Sequence, residues 1–365
     1  MQKNRIAYID QIKVFLTCLV VAHHAAQAYG PTGGVWVISD KAKASWLQDF
    51  FFINASYMMG LYFFISGYFM VFSIRRKTKY QFVKDRLKRL GIPLLFFTFL
   101  VFLPFNYFLS GSKENLFLFF ADTYINKPPL ATGHLWFVAS LLAYSFIYLF
   151  LFGKHFYASA DKAVPFRTYY ILIYILLLTL ATAVVRLKYP IDQWRTWGIP
   201  VEVAHLPQYL SLFLIGTVFN RLGWLNDIKL KTGIFFLMIA IVTYTSQYWL
   251  PHSISGHWLA EPLAESLLCV GISLGIIVLF RHYSNKMNFA SRLLSENAYG
   301  IYLFHLLIVI MLQKMILSWN AAAEIKFLTV TILAIIFSLL LSHFLRKIKT
   351  LRNIISVSYT HLTLP

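Results

Sequence analysis

Charge is scarce in this sequence. Only 13% of the 365 residues are Asp, Glu, Lys or Arg, against about 25% in soluble domains. So few charged groups cannot clothe a water-facing surface, which excludes a soluble globular protein. Hydrophobic residues make up 59%, which excludes a disordered chain as well. Cysteine is nearly missing, and Cys18 and Cys269 both fall inside apolar runs, so neither a disulfide framework nor a thiolate metal site is indicated. There is no phosphate-cradling Gly loop, nucleophile elbow or zinc-binding helix motif. Acidic residues are few, 14 against 33 Lys and Arg, and the formal net charge is +19. Even so, the composition argues against a nucleic-acid partner.

What is abundant is apolar sequence, with a mean hydropathy of +0.64. A membrane-spanning helix needs about 20 predominantly apolar residues, because lipid offers its backbone no hydrogen-bond partner. Ten runs are candidates: 12–29, 50–74, 91–110, 134–153, 168–187, 207–222, 230–250, 263–281, 298–318 and 325–345. The sixth is the weakest, being short and entered through Pro207. No run repeats another, and no linker is long enough to hide a soluble domain. The expectation is an all-α polytopic membrane protein of about ten transmembrane helices, with residues 1–350 forming a single transmembrane domain.

Lys and Arg set the orientation. With the N-terminus in the cytoplasm, the inner segments hold Lys3, Arg5, the eight bases of 75–89, Lys154, Lys162, Arg167, Arg221, Lys229, Lys231, Arg281, Lys286, Arg292, Arg346, Lys347, Lys349 and Arg352. Outside lie Lys41, Lys43, Lys113, Lys127, Arg186, Lys188 and Arg195, with Lys314 and Lys326 at span ends. The asymmetry predicts both termini in the cytoplasm. The first run does not read as a cleaved signal peptide, since it carries His23, His24 and Gln27 and no convincing small-residue cleavage pattern follows. The segment 357–365 fits nothing upstream and reads as a non-native tail.

One stripe of the first run is polar. At 100° per residue, Lys13 and His24 lie about 20° apart round the helix and about 16 Å apart along it. Asp10 lies one turn below Lys13, Thr17 one turn above it, and Gln27 one turn beyond His24. Ionisable groups in a span usually face protein or a water-filled cavity. Two readings follow: Lys13 snorkels while His24 hydrogen-bonds a neighbouring helix, or His24 is a general base or acyl relay lining a passage. His23, 100° away, packs against a neighbour. Adjacent helical histidines cannot easily share a metal and no carboxylate cluster supports one, so no metal is expected.

The opening RIAYIDQIKVFLTCLVVAHHA resembles the first helix of acyltransferase family 3, integral membrane transacylases in which an Arg and a His are separated by ten residues. Lys13 stands in the Arg position, keeping the charge but losing the bidentate fork, and His24 stands in the His position. Five later strings are similar to family motifs and occur in order: Phe63 to Phe69 (FFISGYF), Asp85 to Pro93 (DRLKRLGIP), Gly133 to Phe137 (GHLWF), Pro207 to Gly216 (PQYLSLFLIG) and Ala298 to His305 (AYGIYLFH). The resemblance implies transfer of an acetyl or succinyl group from a cytoplasmic acyl-CoA thioester to a hydroxyl of an extracytoplasmic glycan, in a bacterial cytoplasmic membrane. It implies His24 as the catalytic residue, supported by Asp10 and Lys13, and a basic loop that receives the donor. Acyl-CoA is then a donor substrate, and no bound cofactor is expected. The rival class is a transporter or flippase for a lipid-linked saccharide. Nearly acid-free spans, with Glu265 the main exception, and the lack of repeats count against it.

The other motifs each admit two readings. The cluster Arg75, Arg76, Lys77, Lys79, Lys84, Arg86, Lys88 and Arg89 is either a topology determinant on anionic lipid or a dock for the phosphates of coenzyme A. Arg75, Arg76, Arg86 and Arg89 are the candidate donor ligands, with Arg86 and Arg89 on one helical face. Ser66 and Gly67 either permit close helix packing or border a narrow acyl passage. His134 and Trp136 are an interfacial anchor or an acceptor-stacking pair. Tyr302 and His305 suit packing, with His305 also counted among acceptor-facing groups. Asp192, Arg195, Glu202, His205, His252, His257 and Glu261 could meet the acceptor, and spacing does not choose among them. The charge pattern predicts that a reporter fused after Arg89 reads as cytoplasmic and one fused after Lys113 as extracytoplasmic. The opposite pair of readouts would invert the topology.

Overall fold

The computed structural model describes residues 6–31, 36–126, 132–152, 164–196, 199–251 and 256–355. Lys3, Arg5, Lys127, Lys154, Lys162, His252 and the segment 357–365 lie outside these residues. The chain is all-α. Its helices are α1 (Ala7–Ala26), α2 (Leu47–Arg75), α3 (Lys79–Ser110), α4 (Leu116–Ile125), α5 (Gly133–Phe152) and α6 (Tyr169–Arg186). They continue with α7 (Leu206–Leu222), α8 (Leu230–Ser246), α9 (Ala260–Tyr283), α10 (Phe289–Met315), α11 (Ala323–Leu345) and α12 (Lys349–Ile355). A two-stranded antiparallel hairpin, β1 (Trp194–Thr196) and β2 (Pro200–Glu202), precedes α7.

Among the described residues, eight helices are long and apolar enough to cross a membrane: α1, α2, α3, α5, α6, α9, α10 and α11. The two remaining runs expected to span correspond to α7 and α8, of 17 residues each. At 1.5 Å per residue these reach about 25 Å, short of a hydrocarbon core of about 30 Å. Local chemistry sets the length of α7. Pro207 sits in its first turn, where a missing N–H costs nothing, and Gly223 stops it in the left-handed region at φ 73°,.

Within α3 the residues Leu87–Gly91 and Phe96–Phe102 form π-helical turns. The cause is readable in the sequence. Pro93 and Pro104 have no N–H and crowd the carbonyls four residues back, at Arg89 and Leu100. Each of those carbonyls lies in a π segment, where the widened turn relieves the clash. Upstream, Thr78 and Gln81 close a reciprocal capping box that starts α3,.

The chain forms two compact units, one of residues 1–58 and 280–365 and one of residues 59–279. In the first, α1, α10 and α11 pack on one another. Val21, Ala25, Tyr29, Ile301, Val309, Phe327 and Val330 are among its buried core. Gln11 ties the start of α1 to the turn after α9, donating to the carbonyls of Ser284 and Lys286 at 2.7 Å each. In the second unit, α2 meets α7 backbone to backbone. A Cβ on Gly67 would land on the Phe213 carbonyl oxygen, and one on Gly216 on the Phe64 carbonyl oxygen. Small residues that admit such approach are the usual currency of helix packing in lipid. Gly67→Ala should therefore destabilise the protein by about 1–3 kcal/mol, the usual cost of overpacking. Gly91→Ala, whose new methyl would meet nothing nearer than 3.5 Å, should stay within about 0.5 kcal/mol. Thermal melts of the two detergent-solubilised variants would compare them.

Candidate active site

α1 delivers His24 with its ring half-buried, and α10 delivers His305, which is 0% exposed. The two imidazoles meet: His305 Nε2 lies 3.1 Å from His24 Nδ1, with ring centroids 5.0 Å apart. His24 Nδ1 is also 3.0 Å from the Val20 carbonyl, one turn back, and His305 Nδ1 is 2.6 Å from the Tyr302 carbonyl. Carbonyl oxygens only accept, so each ring carries its proton on Nδ1. His24 Nδ1–H therefore points at both the Val20 oxygen and the Nε2 lone pair of His305. In the neutral His24 ring the lone pair is then on Nε2, the nitrogen a base would use.

The pair is braced from a third side. Trp36 lies 5.6 Å from the His24 ring and donates its indole N–H to Gln313 Oε1 at 2.8 Å. Gln313 Nε2 in turn donates to the carbonyls of His24 and Ala25 at 3.3 and 3.0 Å. Gln313 and Trp36 were missed by sequence reasoning. Gln313 had a signal, an amide inside an apolar span, where polar side chains are costly. Trp36 had none. His23 turns its ring edge onto Phe51 at 5.1 Å.

Asp10 and Lys13 pair with each other at 3.2 Å, and Thr17 donates to the Lys13 carbonyl at 2.8 Å. Eleven helical steps lead from Lys13 to His24, about 16 Å of rise, too far for contact. The basic segment is sorted by one acid. Asp85 takes Lys77 at 2.8 Å and Arg89 at 2.7 Å, while the Arg86 guanidinium sits 4.9 Å over the Phe82 ring. Arg75, Arg76, Lys79, Lys84 and Lys88 are exposed. Ser66 is half-buried beside Gly67 on α2. His134 is buried with its ring edge on Phe102 at 5.3 Å. Trp136 stacks on Tyr209 at 5.5 Å. The structure thus brings His305 to His24 and leaves His134 and Trp136 in the other unit.

Four of the outer-loop candidates, Asp192, Glu202, His205 and Glu261, converge in that second unit. His205 Nδ1 lies 3.1 Å from Glu202 Oε2, and Arg186 donates to Glu265 with Glu261 3.7 Å away. Burial pushes the His205 imidazole down, but the hydrogen bond and charge of Glu202 outweigh it and raise its pKa overall. Burial pushes the Glu202 carboxyl up, and the His205 hydrogen bond and charge and the Asp192 N–H outweigh it, so its pKa falls,. Asp192 reaches Glu202 from a left-handed conformation at φ 64°. Among the described residues, no group of three or more His, Cys, Asp and Glu could hold a metal ion.

A multi-pass helical membrane protein with a positioned imidazole fits the class of membrane transferases, and comparison with known proteins narrows it. Residues 6–346 match the acyltransferase domain model of acyltransferase 3. The chain belongs to the acyltransferase 3 family. It is 28% identical over 153 residues to glucans biosynthesis protein C of Escherichia coli strain SMS-3-5, covering 40% of this chain and 39% of that protein. The protein of the same name from Shigella dysenteriae is 26% identical over 151 residues, with the same shares covered. The matches therefore span about two fifths of the length of these curated relatives. No solved structure matches the chain.

The Glu202–His205 shifts give a signed pH dependence. His205, raised above 6.5, stabilises fully below that value and loses its contribution as pH rises through its folded pKa. Glu202, lowered below 4.5, contributes above that value and loses it as pH falls through its folded pKa. The melting-temperature difference between the native protein and His205→Gln should be largest between these two values and shrink toward alkaline pH.

Proposed function

We propose that this protein is a membrane O-acyltransferase that moves an acetyl or succinyl group from a cytoplasmic acyl-CoA thioester to a hydroxyl of an extracytoplasmic glycan. The glucan-biosynthesis name of its relatives supports the acceptor class. In this reading the chain lies in a bacterial cytoplasmic membrane with both termini inside. The observation that carries it is the hydrogen-bonded His24–His305 pair, with the His24 lone pair on Nε2.

The reaction runs as follows. His24 Nε2 takes the proton of the acceptor hydroxyl while its oxygen attacks the thioester carbonyl. A C–O bond forms, the C–S bond breaks, and the departing thiolate receives the proton from the imidazolium. As Nε2 gains its proton, positive charge spreads to Nδ1–H, whose partners are the Val20 carbonyl and His305 Nε2. Both are acceptors aimed where that charge develops, so they stabilise the imidazolium more than the neutral ring. An acyl-histidine relay through the same Nε2 is the other route. His305 acts as a positioning residue. Arg75, Arg76, Arg86 and Arg89 serve the phosphates of coenzyme A, with Arg75 and Arg76 the most exposed of the four.

In nanodiscs charged with acyl-CoA, His24→Ala should lower acyl transfer by about 10²–10⁴-fold, the usual contribution of a general base. His305→Leu should lower kcat on the order of tenfold with little change in KM, and His305→Gln should recover part of it because an amide oxygen can accept the His24 proton. Full activity in correctly inserted His24→Ala would remove the assignment. Replacing Arg75 and Arg76 together by Gln should raise the KM for acyl-CoA and spare kcat. Mass spectrometry of surface glycans with and without the gene reads the acceptor.

A further inference from the structure

The second unit contains a small cavity whose polar lining is Arg186, Glu265, His205, Gln208, Thr182 and Ser266, with Leu178 and Ala204 completing it. It lies where the end of α6 meets the start of α7 and the first turns of α9. The Arg186 side chain is nine-tenths buried, at 10% exposure. Nη2 is used on Glu265, whereas Nε and Nη1 are buried with no hydrogen-bond acceptor. Glu261, at 3.7 Å, contributes charge but is beyond hydrogen-bond reach,. Buried donors are nearly always satisfied in native proteins, and leaving one unmade costs free energy. The two unmet N–H groups of a fixed guanidinium beside a cavity therefore call for an oxygen supplied from outside the chain.

The charge around the cavity narrows what carries that oxygen. Arg186 and His205 are matched by Glu265 and Glu202, so an anion would face two carboxylates and a cation the guanidinium. A hydroxyl meets both demands, accepting from Arg186 and donating to a carboxylate or to the Gln208 amide oxygen. The volume is about 10 Å³, room for a single water-sized group. One hydroxyl fits, and the ring that bears it must stay outside.

Rings lead away from the cavity. His205 stacks on Tyr209 at 5.6 Å and 15°, Tyr209 on Trp136 at 5.5 Å and 27°, and Trp194 sets its edge against Trp136 at 5.4 Å. Tyr209 is buried, while Trp136 and Trp194 are half-exposed. Such amphipathic rings suit the C–H face of a sugar while the hydroxyls bond elsewhere.

We infer that this cavity is a binding subsite for a neutral saccharide. One hydroxyl enters to bond Arg186, Glu265 and Thr182, and the sugar face rests on Trp136 and Trp194. As a subsite for the acyl acceptor, it rests on the acyltransferase reading; as a saccharide site, it stands without it.

The test is titration of the purified full chain in nanodiscs with cellobiose, followed by tryptophan fluorescence and calorimetry. The native protein should bind saturably. Thr182→Val, which removes a hydroxyl at nearly constant shape, should weaken binding about tenfold with an unchanged melting temperature, and Glu265→Gln should weaken it at least as much. His24→Ala should bind cellobiose as the native protein does while losing transfer, and full transfer with retained binding overturns the His24 assignment and not this site. A native protein that transfers acyl groups but shows no saturable response overturns this site alone. Binding that inorganic phosphate or succinate displaces fully, or that Thr182→Val leaves unaltered, overturns it as well.

Discussion

A polar group placed inside an apolar helix must find its partner within the protein, because lipid offers none. The first unit is organised by that constraint. Lys326 is 2% exposed and is met by Asp40 at 2.8 Å. Asn297 receives the Ser342 hydroxyl at 2.9 Å where α10 and α11 touch. Gln313 joins Trp36 to the last turn of α1. The His24–His305 contact belongs to the same series. Its members link side chains 45 to 286 positions apart, so each fixes a helix in rotation as well as in place. The apolar core between them, from Val21 to Val330, is non-directional and would tolerate some slippage that the hydrogen bonds forbid.

For the chemistry, the consequence is a histidine whose protonation pattern is set by its neighbours. A helical His bonded to the carbonyl four residues back already favours Nδ1–H. The second imidazole adds an acceptor on the same nitrogen, and its own tautomer is held by Tyr302. Acyl transfer from a thioester to a hydroxyl needs one proton removed and one returned, and a ring with one nitrogen committed and the other basic is suited to both steps.

The basic segment shows how structure sorts residues that look equivalent in sequence. Eight bases in fifteen positions read as one cluster. Asp85 engages two of them, the Phe82 ring takes a third, and Arg75, Arg76, Lys79, Lys84 and Lys88 are exposed. In α3, immediately downstream, Pro93 and Pro104 impose π-helical turns on an otherwise regular apolar helix.

The sequence by itself determined the class of fold, because a chain with 13% charged residues has no soluble solution, and it located the eight long apolar helices of the described residues, although α3 and α10 begin 12 and 9 residues before the expected runs. It also placed His24 on the polar stripe of α1, since 3.6-residue periodicity acts within one helix. It marked α7 as short through Pro207 but did not show that α8 falls short as well. Nor could it show that His305 meets His24, or that Arg186, Glu265, Glu202 and His205 converge. Those are contacts between side chains up to 281 positions apart. Only tertiary packing decides them, because the rotation of one helix against another depends on the summed fit of many apolar side chains and leaves no periodic trace in the sequence.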